Sequence, residues 1–341
     1  MATKKTGIAL VGSTIVDELA PVLSPGQLSY VDAQKFVDKE ELAGEEVRYS
    51  VGGMATNVGV DLAKIDGGYP VAVFGKIGND HRADIIRRIL TDNHIPVDTL
   101  LVSAEYETSC TEVLHIRIDQ GRTERIYRQT LGAMGSFNVE DIDFNRLAYF
   151  KIAMFGYGLL LPQLDKPDAE FGTVMGRVLA RVQKSGVLTA LDFVSPGPEN
   201  SFKFARYRRT LAFVDICCIN DDQASALTNY PDPREACVAL VEELGAGLAV
   251  VHCGAQGPSY AFTKKNGLVT QPNFVVPEDE YKGNAGAGDA FSAGFLHGIH
   301  QDWDIGTCVK FAAAAAAISL GDVSCTGAMQ KEKYILDYMH K

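Results

Sequence analysis

A doubly wound α/β sheet is the fold class this sequence predicts, and three observations predict it. Short apolar runs bounded by Gly, Asp or Asn recur along the chain. Helix-length segments separate most of them, as parallel crossover connections require. The chain has 341 residues, 46% of them hydrophobic, enough for a sizeable core in one large α/β domain or two smaller ones.

The predicted strands, in chain order, are "GIALVGS", "VAVFGKIG", "YFKIAMFGYG", "VLTALDF", "VDICCIN" and "GLAVVHCG". Their near-continuous apolar character suits strands covered on both faces. Between them, "DAEFGTVMGRVLARVQKSG" has the three-and-four spacing of an amphipathic helix, with Gly186 as its stop, and "DPREACVALVEELGAG" repeats that design. The alanine run in "VKFAAAAAAISLG", flanked by Phe311, Ile318 and Leu320, reads as a tightly packed helix. Two more polar stretches, 20–50 and 108–131, break the alternation. The second reads as two strands around a turn near Gln120 and Gly121. Together they predict a small β-sheet beside the main body, used as a lid over a cleft, with an ordinary edge hairpin as the alternative.

The formal net charge of −11 repels phosphate backbones and anionic lipid headgroups, so no nucleic-acid or membrane partner is expected. No apolar run approaches the roughly 20 residues of a spanning helix, and the first residues lack a cleavage site ahead of an apolar core. The seven cysteines are odd in number and scattered, and the adjacent Cys217 and Cys218 read as core filler rather than a disulfide, because neighbours on a strand face opposite ways. The chain therefore reads as cytoplasmic. No spacing of His and Cys suggests a protein-held metal.

The chemistry concentrates in "GNAGAGD", residues 283–289. Gly286, Ala287 and Gly288 cannot shield their amides, and an apolar helix follows, so unpaired N–H groups and the positive helix end converge as an anion cradle. Asp289 has two readings: a helix N-cap, or a base facing a hydroxyl whose attack on a phosphoryl group the amides stabilise. Gly52 and Gly53 stand just before a helix whose first turn carries Asn57, an amide able to donate to and accept from sugar hydroxyls. Asp17 follows the first predicted strand, at the end where α/β proteins gather ligands.

These motifs, in this order, resemble the PfkB family of carbohydrate and nucleoside kinases: "GSTIVD", "GGMATN" with "GKIGND", Asn220-Asp-Asp-Gln223, "CGAQG", "GAGDAF" and the alanine-rich last helix. The resemblance covers nearly the whole chain. It implies a single ribokinase-like domain over 1–341, a three-layer α/β/α sandwich with a mostly parallel central sheet, and a β lid often used for dimer contacts. It further implies ATP with Mg²⁺, Asp289 as general base, and Gly286, Ala287 and Gly288 as anion hole. By the same resemblance Asp17, Gly52, Gly53 and Asn57 bind the substrate, while Asn220, Gly254, Ala255 and Gly257 lie near the nucleotide.

Four residues, at three places, depart from the family pattern. Gln223 stands where Glu is usual and should hold the water shell of Mg²⁺ less well than a carboxylate. Gly283 and Asn284 replace an Asp-Thr pair that in relatives helps hold a monovalent cation, and Ala313 replaces a polar residue turned toward the nucleotide. Met54 stands where kinases of sugar phosphates often carry lysine, which favours an unphosphorylated sugar or polyol, although Arg125 and Arg128 in the lid could supply a cation. A nucleoside acceptor would need an aromatic slot, for which Tyr127, Tyr157 and Phe193 are candidates. A catalytically weak sugar- or nucleotide-binding member is the remaining alternative; a nicotinamide enzyme is disfavoured because no G-x-G-x-x-G follows the first strand.

Overall fold

The computed structural model describes residues 5–23, 28–31, 34–37, 48–119, 122–194 and 198–340. All six apolar runs become strands of one nine-stranded sheet. Its order is Gly267–Gln271, Ser259–Thr263, Leu248–His252, Ile216–Asn220, Leu188–Phe193, Ile152–Gly158, Ile8–Gly12, Val71–Ile77 and Leu100–Val102. The run from Leu248–His252 to Leu100–Val102 is parallel, and the two strands at the other edge are antiparallel to their neighbours. Three strands were not expected. Leu100–Val102 has only three residues, and Ser259–Thr263 with Gly267–Gln271 is a half-exposed hairpin lacking a long apolar run.

Strand side chains alternate between two cores. Ile8 and Leu10 face the helices Met54–Ile65, Ala287–His300 and Ile305–Ser319, whereas Ala9 and Val11 face Val174–Lys184 and Pro233–Glu242. Cys217 joins the second core and Cys218 the first, as opposite-facing neighbours must. The result is a three-layer α/β/α sandwich. The alanine run has a packing reason: a Cβ at Gly294 would lie 2.9 Å from the Ala312 Cα, and one at Gly298 would lie 2.8 Å from the Cys308 sulfur. Small residues on both partners thus let Ala287–His300 and Ile305–Ser319 approach closely, which fixes where the first of them begins.

A four-stranded sheet stands apart, in the order Arg48–Gly52, Ile15–Leu23, Cys110–Asp119, Arg122–Thr130. The turn expected at Gln120 and Gly121 lies outside the described residues. Only Ser13 and Thr14 separate the first main-sheet strand from this sheet, and only Gly53 separates the sheet from the Met54–Ile65 helix. Among the described residues no helix is long and apolar enough to cross a membrane.

Candidate active site

Gly286 starts the Ala287–His300 helix in the left-handed region, with φ of 74°. A Cβ there would fall 2.6 Å from the Cys325 carbonyl oxygen, so the position admits only glycine. Ala287, Gly288 and Asp289 form the first turn, whose amides have no carbonyl partner within the helix; the Ala287 N–H donates instead to the Asn284 carbonyl at 3.3 Å. A Cβ on Gly288 would rest 3.4 Å from the His252 ring, whose pKa burial lowers to about 4, so this wall of the cradle is a neutral imidazole.

Asp289 is not the helix cap. Gly286 holds that position, and the Asp289 side chain turns away to distant partners. Asn57 Nδ2 donates to its Oδ2 at 2.8 Å, and the Tyr157 hydroxyl donates to Oδ1 at 2.7 Å and to Oδ2 at 2.8 Å. The carboxylate is 5% exposed. Burial pushes its pKa up, while the Tyr157 and Asn57 donors pull it back toward the ionised form. Asn57→Ala therefore raises the Asp289 pKa further. The acid limb of a kcat–pH profile is expected to move to higher pH, and KM for the acceptor to rise.

Asp17 lies beside this group. A Cβ at Gly52 would sit 2.1 Å from Asp17 Oδ1, so glycine there makes room for the carboxyl. Cys325 Sγ donates to Asp17 Oδ2 at 3.6 Å. Burial raises the Asp17 pKa to about 7, and the charge of Asp289 adds to the rise. Gly53 has φ of 82°, and a Cβ on it would come within 2.7 Å of the Ser13 carbonyl oxygen. The Ser13 hydroxyl donates to the Gly156 carbonyl at 3.1 Å and accepts from the amides of Met54 at 3.0 Å and Tyr157 at 3.2 Å. One buried hydroxyl thus ties the first strand, the Met54–Ile65 helix and the Ile152–Gly158 strand into a fixed corner.

The predicted nucleotide residues stand at neighbouring strand ends. Asn220 pairs in register with His252, and Gly254 and Ala255 form an exposed turn two residues further on, with Gly257 closing it. Asn220 caps the Asp221–Thr228 helix: its Oδ1 accepts from the Gln223 amide at 2.8 Å, and Gln223 Oε1 accepts from the Asn220 amide at 2.9 Å. Gln223 Nε2 donates to the Phe193 carbonyl at 2.7 Å. The Gln223 amide thus does a structural job for which its neutral side chain suffices. Among the described residues no group of three or more His, Cys, Asp or Glu could hold a metal ion.

Sequence reasoning left Ser13, Asp61 and Asp192 without roles and treated Tyr157 only as a possible aromatic wall. Asp192 and Asp61 are buried carboxyls, pushed well up by burial and then by the charge of Asp289. Asp61 follows Asn57 by one helical turn, a signal that was readable: a charged residue at a position whose neighbours Val58, Leu62 and Ile65 are core. Phe193 is a core aromatic, edge-on to Tyr207 at 4.9 Å. Ala313 is buried in its helix. Met54 is fully buried, its Cε 3.2 Å from where a Gly156 Cβ would stand. Arg128 pairs with Glu112, and the side chains of Arg125 and Tyr127 lie outside the described residues.

The arrangement can accept a proton from a hydroxyl at Asp289 and stabilise negative charge at the adjoining helix start. The family described as pfkB family carbohydrate kinase matches residues 21–332. A 5-dehydro-2-deoxygluconokinase of Listeria monocytogenes is 25% identical over 281 residues, covering 82% of this chain and 83% of the relative. Arabidopsis thaliana ribokinase, solved with ribose and ATP, superposes with a TM-score of 0.75 at 20% identity over 99% of both chains. An E. coli chain described as a ribokinase II, in complex with ATP and Mg²⁺, gives 0.74 at 15% identity over 98% of this chain and 99% of that one.

Proposed function

The chain belongs to the pfkB family of carbohydrate kinases, and from that premise we propose that it moves the γ-phosphoryl group of ATP to a hydroxyl of a small, unphosphorylated sugar or polyol. The observation that carries this reading is the Asp289 carboxylate, buried and directed off the helix start rather than capping it. Asp289 takes the proton of the acceptor hydroxyl. The hydroxyl oxygen bonds to the γ-phosphorus, the bond from that phosphorus to the bridging oxygen breaks, and ADP leaves. The amides of Gly286, Ala287 and Gly288 face the charge that develops on the phosphoryl oxygens, at a helix start that Gly286 lets pack directly against Cys325. Asp17, Gly52, Gly53 and Asn57 hold acceptor hydroxyls. Asn220, Gly254, Ala255 and Gly257 border the nucleotide.

Mg²⁺ would enter on the phosphates of ATP, with most of its shell supplied by them and by water. When bound, it neutralises charge on the phosphates. Buried Met54 leaves no cation in the glycine signature, which supports an acceptor without a phosphate. The four-stranded sheet is suited to close over the acceptor as a lid, and its outer strands could pair two subunits. Seven free cysteines suit a reducing compartment such as the cytoplasm.

The test is ADP release with ribose, 5-dehydro-2-deoxygluconate, a polyol panel and adenosine. Turnover with at least one sugar and none with adenosine is the expected result. Calorimetric binding of ATP and a sugar without turnover on any acceptor would replace the kinase with a binding protein.

A further inference from the structure

The base just described is covered. Tyr157 lies at the end of the Ile152–Gly158 strand, half-buried, with its backbone N–H held by Ser13. Its hydroxyl is almost equidistant from the two oxygens of Asp289, at 2.7 and 2.8 Å. Such a phenol sits astride the open edge of the carboxylate, while Asn57 occupies a second position on Oδ2. A hydroxyl that is to give up its proton must come within roughly 2.6–3.2 Å of a carboxylate oxygen. The phenol therefore stands in the seat of the acceptor. It does not replace the base, because burial and the Asp289 charge keep its proton on.

The neighbouring glycines show how the ring is placed. A Cβ at Gly158 would meet the Phe193 ring at 2.6 Å, and one at Gly156 would meet the Asp192 carbonyl at 3.1 Å. The backbone on either side of Tyr157 is thus packed tightly, and the side chain has to move by its own rotamer if the seat is to be vacated.

We propose that Tyr157 is a specificity-determining gate, whose hydroxyl masks the proton-accepting edge of Asp289 until an acceptor carrying several hydroxyls displaces it. The proposal rests on the reading of Asp289 as base. A water molecule has a single oxygen, and its hydrogen bonds reach only groups within about 3 Å of it, with no further contacts to displace a ring. A sugar or polyol brings additional hydroxyls to Asp17 and Asn57. The gate thereby keeps ATP from being spent on water.

In a Tyr157→Phe variant the edge is open. Water then gives a proton to Asp289, its oxygen bonds to the γ-phosphorus, the bond to the bridging oxygen breaks, and ADP and inorganic phosphate leave. The experiment is phosphate release from ATP with Mg²⁺ and no acceptor, for wild type, Tyr157→Phe, Tyr157→Leu and the double variant Tyr157→Phe/Asp289→Asn, each checked for wild-type circular dichroism. Acceptor-free hydrolysis is expected to rise at least tenfold in a folded Tyr157 variant and to vanish in the double variant. No rise in either folded single variant overturns the gate, and leaves the base reading standing if Asp289→Asn alone abolishes sugar phosphorylation. A rise that survives Asp289→Asn overturns the base reading, and the gate with it.

Discussion

Asp289→Asn is expected to lower turnover by about 10² or more, the usual scale for a lost general base, while nucleotide affinity stays nearly unchanged. The substitution keeps the shape of the side chain and removes its ability to take a proton. The cradle formed at Gly286 and Gly288 depends on backbone and on the packing of Cys325 and His252, none of which the change touches. Binding of ATP by calorimetry, beside steady-state kinetics on the best sugar from the acceptor screen, separates the two effects. A variant that keeps its turnover would show that Asp289, with its two side-chain donors, is a structural knot. A variant that loses ATP binding as well would show that the helix start had moved.

The parallel sheet was legible because strands covered on both faces cannot avoid apolar runs, and all six runs fell in it. The antiparallel edge was illegible for the converse reason: Gly267–Gln271 alternates between half-buried and exposed residues and carries no run. The small sheet was legible as strand-like polarity, but its first strand begins at Ile15, ahead of the 20–50 stretch expected to form it, so Asp17 lies within that sheet. In the site, Gly286, Gly53, Gly52 and Asn57 stood out because glycines before a helix are a local signal. Their partners were not local. Asn57 reaches Asp289 across 232 residues and Tyr157 reaches it across 132, and no spacing rule encodes such a meeting. Ser13 lay inside a quoted motif, yet its hydroxyl acquires meaning only when three segments close around it.

Asp61→Asn should have the largest effect on stability, and its sign depends on pH. Asp61 is fully buried on the Met54–Ile65 helix, and among the described residues neither of its carboxyl oxygens has a hydrogen-bond partner. Nearby Lys64 gives its ammonium to the Thr326 carbonyl at 2.6 Å. Burial, followed by the charge of Asp289, raises the Asp61 pKa well above the ordinary 3.8, and Lys64 opposes the rise. The folded state therefore keeps a proton that the unfolded chain sheds above pH of about 4. Stability from this group is complete below that pH and is lost as pH climbs toward the folded pKa. Asp17 acts in the same direction between about 4 and about 7. An amide of the same shape has no charge to suppress, and its N–H can donate to Asn57 Oδ1 one turn away, which has no hydrogen-bond partner among the described residues. Urea midpoints of wild type and Asp61→Asn are expected to coincide near pH 4. At pH 8 the variant should be the more stable of the two, because wild-type Asp61 must there hold a proton that the unfolded chain gives up. If the variant were instead less stable than wild type at pH 8, Asp61 would be ionised and compensated in the folded protein, with Lys64 as its counter-charge.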